Sequence, residues 1–298
     1  EEKGKFTSIS SNFNYGLAED RLRVQANFYH RFNNKNRAYL SAAGGSAVSQ
    51  FNNSEPISPF INSVSTLFFK NNFMKLYNKG FATLTYGQEV VNGLFGYVNW
   101  NYENRRALFN NTYYTIIKNS DSYTSNDPLQ PNNFTSAPFE NHDIMKATIG
   151  TRIRFGQKYI SRPDGKLNIQ NDAYPVLSLS YQKAFGATNS NYHFDFVAAR
   201  LDYDKVFGNK GEFGIRIRAG KFFNAENIAF MDYKHFNGNQ THVNFRGEYL
   251  NSFNLLPYYS NSTNDAYVET HMEHNFRGYI MNKIPLLNKL QWNLIGGF

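Results

Sequence analysis

The chain contains no cysteine among its 298 residues. That excludes a disulfide framework, a thiol nucleophile and a cysteine metal site. Proline is scarce at 9 residues, and no stretch approaches the roughly 20 apolar residues that a helical membrane span requires. A membrane protein built from helices is thereby excluded. Long helical periodicity is missing as well, so the length fits one large all-β domain better than two small ones. The formal charge of +8 would suit nucleic acid, but Lys and Arg are scattered singly, and no nucleic-acid partner is expected. No Gly-x-Ser-x-Gly elbow occurs, and the dispersed Ser, His and Asp define no catalytic set, so the chain is not expected to be an enzyme.

Aromatic residues are abundant instead, with 28 Phe and 21 Tyr, although the hydrophobic fraction is only 41%. A transmembrane β-barrel reconciles the two, because every second residue faces the lumen and aromatic girdles mark the interfaces. The patterning agrees. In Ile144–Phe155 the residues Met145, Ala147, Ile149, Thr151, Ile153 and Phe155 alternate with Lys146, Thr148, Gly150, Arg152 and Arg154. F213-G-I-R-I-R-A-G220 repeats this with Arg216 and Arg218, and Arg21–Tyr29 sets Arg21 and Arg23 against Leu22, Val24, Ala26 and Phe28.

The same reading predicts strands over Lys5–Tyr15, Arg21–Tyr29, Arg37–Ser49, Phe81–Val91, Leu94–Asn104, Asp143–Phe155, Tyr174–Phe185, Tyr192–Asp204, Glu212–Phe222, Tyr267–Phe276 and Lys289–Phe298. Asn92-Gly93 is a strong hairpin signal, Gly44-Gly45 marks a bulge or bend, and R162-P-D-G165 is a turn within a loop. Ile61, Val64, Leu67 and Phe68 fall at helical spacing and predict a short helix. Arg105–His142 and Asn224–Asn264 read as long excursions. Placing the turns alternately on two sides collects the longer ones on one side, which is predicted to face outward. The domain spans residues 1–298, and its two ends, E1-E-K-G-K-F and Leu290–Phe298, read as strand or its approach, so an internal piece of a longer protein is expected.

Six arginines, Arg21, Arg23, Arg152, Arg154, Arg216 and Arg218, are predicted to face inward, because a charge on the lipid face costs about 2–4 kcal/mol near the midplane. They either pair with Glu89, Glu103, Glu269 and Glu273 or bias the lumen toward anions. H271-M-E-H274 places its two histidines on opposite faces of a strand and lacks a third ligand, so no metal or cofactor is expected.

Three runs carry a resemblance: G156-Q-K-Y-I-S-R-P-D-G-K166, M231-D-Y-K-H-F-N-G-N-Q-T-H-V243 and N264-D-A-Y-V-E-T-H-M-E-H-N-F-R-G-Y-I-M-N-K-I-P-L-L-N-K-L-Q-W292. They are similar to outer-membrane barrels of unassigned function that follow a carboxypeptidase-like regulatory domain. More distantly the order of motifs resembles the BamA/TamA surface-antigen superfamily. The resemblance implies an antiparallel transmembrane β-barrel of 16 strands, of which this chain supplies about 11–12, in the outer membrane of a Gram-negative bacterium. The implied function is assembly or translocation of polypeptides; a channel or receptor for solute uptake is the alternative. Implied partners are outer-membrane lipid and other outer-membrane or periplasmic proteins. The resemblance also implies a loop folded into the lumen with Phe245-Arg246-Gly247-Glu248-Tyr249 at its tip, where Glu248 stands in place of an aromatic residue. Arg246 and Gly247 would then meet the wall at Glu269 or Glu273.

Overall fold

The computed structural model describes residues 4–17, 19–117, 122–163, 165–169, 171–241 and 249–298. Alternating patterns become β1 (Phe6–Gly16), β2 (Arg21–Arg31), β3 (Tyr39–Gln50), β4 (Leu76–Val91), β5 (Leu94–Ala107), β6 (His142–Arg154), β7 (Lys158–Arg162), β8 (Gly165–Ile169), β9 (Val176–Phe185), β10 (Phe194–Val206), β11 (Glu212–Phe223), β12 (Ala266–Asn275) and β13 (Ile295–Gly297). Eleven of them form one sheet in the order β1-β2-β3-β4-β5-β6-β9-β10-β11-β12-β13, antiparallel wherever strands meet, while β7 and β8 pair apart as a hairpin. The protein is all-β, with a single large sheet. β1 and β13 are its two edges and do not pair with each other among the described residues, so the sheet is not a closed barrel.

Strict succession of neighbours sends alternate connections to opposite ends of the sheet. One end carries residues 51–75, 108–141 and 224–265; the other carries the two-residue turn Asn92-Gly93, the β7–β8 hairpin and residues 276–294. Gly93 takes φ 82°, the left-handed conformation that such a turn demands.

Four expectations need correction. β5 continues to Ala107, so Arg105 belongs to the wall rather than to the following excursion. Its polar end looked like a loop because its partners lie far away in sequence. The loop around Pro163 contains the β7–β8 hairpin, whose residues are mostly exposed. The last predicted strand shrinks to Ile295–Gly297, with helical turns at Gly278–Met281 and Leu287–Leu290 before it. The helix α1 (Pro59–Phe69) begins two residues early, since Pro59 at its first turn has φ preset and needs no hydrogen-bond partner for its nitrogen. It closes on Lys70 at φ 57°, whose N–H reaches the Thr66 carbonyl, and no residue of α1 is buried.

Gly45 explains where β2 and β3 part. Their register ends at Gln25 and Gly45, while β3 stays paired with β4 to Gln50. Gly45 sits at φ 139°, and a Cβ there would lie 2.0 Å from the Val24 carbonyl oxygen. Gly45→Ala is expected to destabilise the β2–β3 edge by about 1–3 kcal/mol, where an ordinary glycine-to-alanine change in a strand would stabilise it, because backbone atoms cannot yield as a flexible side chain can. Hydrogen exchange at residues 23–28 would read it, and unchanged protection would refute it.

Candidate functional site: the filled inner face of the sheet

Register sorts the side chains into two faces. On one, Val98, Ile149, Tyr181 and Val197 stand in a cross-strand row, and Thr151, Leu179, Ala199, Ala219 and Val268 form another. Leu22, Leu84, Val98, Ile149 and Val268 on this face are between 46% and 73% exposed. On the other face lie the buried Glu103, Arg105, Lys146, Glu269 and His271. Charge is thus buried on one face, beside the apolar Ile144, Ala184, Phe194 and Phe222, while the other face leaves aliphatic side chains exposed.

A connection of the chain fills that charged face. Residues 228–235, between β11 and β12, bring Ile228, Ala229, Met231 and Asp232 into full or nearly full burial. Met231 and Ala229 pack with Phe51 and Tyr77, while Ile228 and Ala225 join Ile144, Ala184, Phe194 and Phe222. Asp232 reaches β6 and Lys234 reaches β12, four strands further along the sheet and about 19 Å away if it were flat. The sheet therefore curls around the connection.

The Asp232 side chain has no solvent exposure and sits in a cage of cations. Arg105 donates from Nη1 at 2.5 Å and from Nη2 at 2.8 Å, a bidentate fork, and Lys146 Nζ donates at 2.5 Å. Arg105 is itself fully buried and donates from Nε to Glu103 at 2.7 Å, while Lys79 lies 3.8 Å from that carboxylate. His142 Nδ1 faces the Glu140 carbonyl at 2.8 Å, and its Nε2 lies 3.4 Å from Arg105 Nη1. A guanidinium only donates, so the ring is neutral with its proton on Nδ1. Burial alone would raise the Asp232 carboxyl, but Arg105 and Lys146 outweigh it and hold the group well below the usual carboxylate range.

A second anchor lies two residues on. Lys234 Nζ is 2.7 Å from Glu269 Oε2, and Arg218 Nη1 donates to Glu269 Oε1 at 2.5 Å. Burial lowers the Lys234 ammonium, against the pull of Glu269. His235 is buried between the Phe230 carbonyl at 2.9 Å and Ser262 Oγ at 2.8 Å, and burial pushes it down to about 4. Neighbouring connections interlock with this one. Tyr259 OH accepts from the Lys75 backbone N–H at 3.1 Å, and Lys75 Nζ donates to Thr124 and to the Ser125 carbonyl.

The predicted site residues scatter over this frame. Arg246 and Gly247 lie outside the described residues. Glu269 is buried on the inner face, but the cation that the connection brings to it is Lys234. Glu273 lies two positions further on that face, half-buried, in register with Gly214 and Gly297. Arg21 is exposed, while Arg23 is buried and bound to Glu19 and to Asn78 of β4. Arg216 pairs with Asp202 and Asp204, and Arg218 with Glu269. Arg152 and Arg154 line a cavity with no carboxylate within 4.0 Å among the described residues. Of the four proposed acidic partners, only Glu269 meets one of these arginines; Glu89 takes Lys166 and Glu103 takes Arg105. His271 and His274 lie on opposite faces, the former beside Glu269 and the latter against Phe276. Among the described residues no three His, Asp or Glu side chains gather as a metal site.

Arg105, Lys146 and Asp232 were missed as a unit. Two were legible in isolation, Lys146 as an inward strand residue and Asp232 as an acid between Met231 and Tyr233, while Arg105 falls in the predicted excursion. Their partnership spans 127 and 86 residues, beyond any local pattern.

These features define a class: one large antiparallel all-β sheet with an exposed apolar face and an opposite face, rich in buried charge, that residues 228–235 cover. The chain belongs to the family described as "Family of unknown function (DUF5686) C-terminal domain", whose model matches residues 1–298. No curated protein matches it.

Proposed function

We infer that this domain is the wall of an outer-membrane β-barrel of the assembly or translocation type, plugged at one mouth by residues 228–235. The observation that carries the reading is the exposed apolar face. Leu22, Val24, Leu84, Val98, Ile149, Leu179, Val197 and Val268 are each 38–73% exposed. Leaving that much aliphatic surface in water forfeits roughly 1 kcal/mol per residue, which together rivals the 5–15 kcal/mol that holds an ordinary domain folded. Lipid removes the penalty. No helix among the described residues is long and apolar enough to cross a membrane, so any crossing would be made by strands.

Supplying further strands at the β1 and β13 edges would close the wall, in keeping with the resemblance to larger barrels. A plugged mouth favours this type over an open solute channel, since Phe51, Tyr77, Met231 and Asp232 occupy the space a solute would need. Localisation in the outer membrane of a Gram-negative bacterium, and contact with lipid and with other outer-membrane or periplasmic proteins, belong to this proposal.

Trp100 on the outer face is the natural reporter, 38% exposed and one of two tryptophans. In a Trp292→Phe variant of the full-length protein reconstituted in vesicles, brominated acyl chains are expected to quench Trp100 strongly while aqueous acrylamide does not. Quenching by acrylamide alone would overturn the membrane reading. For the assembly activity, the same vesicles should accelerate folding of an unfolded barrel protein saturably; a rate equal to that of empty vesicles would overturn it.

A further inference from the structure

We propose that the inner face carries a binding site for a phosphate-type oxyanion, formed by Arg152, Arg154 and Arg200 in the cavity between β6 and β12. The register makes the arrangement explicit. Arg152, Ser178, Arg200, Arg218 and Glu269 stand in one row across five adjacent strands, and Arg154, Val176, Asp202, Arg216 and His271 form the next. Arg200 and Arg218 are directly opposite each other, a pairing of like charges that a sheet ordinarily avoids.

The acids on this face are already used. Glu269 is shared by Arg218 and Lys234, and Asp202 by Arg200 at 2.7 Å and Arg216 at 3.2 Å. Arg152 and Arg154 have no ion pair among the described residues. Both border a cavity of about 630 Å³ together with Arg200, Arg218 and Lys234, against the single acid Asp202. The adjoining cavity adds Arg37 beside Arg154, together with Asp172 and Asp204, whose carboxylates pair with Lys205 and Arg216.

Shape supports the same ligand. Arg152 and Arg154 are two residues apart on one strand face, about 6.6 Å between Cα atoms, so both forks can close on one oxyanion. Between Arg152 and Arg200 the intervening residue is only Ser178, which leaves space and a hydroxyl donor. The neighbouring row, Gly150, Ser180, Ala198 and Gly220, is built of small residues, and a Cβ on Gly150 would strike the Tyr97 ring at 2.4 Å. Tyr97 and Tyr267 thus bound a shallow floor beside a cationic wall. A doubly or triply charged oxyanion neutralises what the protein leaves uncompensated. The site does not depend on closure of the wall, so Trp100 quenching and anion binding fail separately.

Inorganic pyrophosphate is the probe. Calorimetric titration of the detergent-solubilised full-length protein is expected to show saturable binding, weakened at least about tenfold by the double change Arg152→Gln and Arg154→Gln and unchanged by Arg21→Gln. A second measurement requires no variant: pyrophosphate should protect Arg152 and Arg154 from phenylglyoxal, read by mass spectrometry. Absence of saturable binding, equal binding by the double variant, or modification of both arginines at the same rate with and without pyrophosphate would each overturn the proposal.

Discussion

Asp232→Asn is expected to destabilise the docked connection by about 3 kcal/mol and to open residues 225–241 to protease. The figure lies at the low end for breaking a buried pair, because Arg105 would retain Glu103 at 2.7 Å when it lost Asp232. What remains is an excess of buried positive charge, with Lys146 and one edge of the Arg105 fork unpaired. Adding Lys146→Met to Asp232→Asn removes one surplus charge and should recover a substantial part of the loss. Limited proteolysis and thermal unfolding of the full-length protein read both effects. If the single variant resists protease and melts like the parent, the cage does not hold the connection.

Acid should loosen the same connection through His235. The ring protonates near 6.5 when exposed and only near 4 when buried, so the open form takes up protons first. Stability is therefore fully present above about pH 6.5 and is lost progressively as pH falls toward 4. Between pH 7 and 5 the loss should be about 1.8 kcal/mol, roughly a twentyfold rise in opening. Asp232, held low by its cations, adds a further loss only at more acid pH. The groups facing His235 are the Phe230 carbonyl and ring, the Tyr259 ring, Ser262, Asp232 and Lys234. Hydrogen exchange of the amides at residues 230–235, corrected for its intrinsic pH dependence, gives the measurement. His235→Gln should flatten the profile over this window; an unchanged slope in that variant would assign the effect to other groups.

The two experiments address the same element from different directions. Removing Asp232 breaks a charge pairing at any neutral pH, whereas acid acts on a ring whose partners are a carbonyl and a hydroxyl. A connection fixed by apolar packing of Ile228, Ala229 and Met231 alone would respond to neither.

Alternation by itself determined most of the wall. Side chains of a strand point to opposite sides in turn, so Met145 to Phe155 and Phe213 to Ala219 announced their two faces without reference to anything distant. Asn-Gly at Asn92-Gly93 fixed a hairpin because its second position takes the positive φ that glycine adopts freely, and the length of the excursions placed the longer ones at one end. The end of β5, the β7–β8 hairpin and the short β13 were hidden, because their boundaries are set by which backbone lies alongside. Only the tertiary structure decided that Asp232 would be caged by Arg105 and Lys146, that Lys234 would meet Glu269, and that Arg152 and Arg154 would have no ion pair among the described residues. Charge pairing inside a curled sheet depends on which side chains converge within a few ångströms. That is settled by register across six strands and by the path of one connection, neither of which leaves a periodic trace in the sequence.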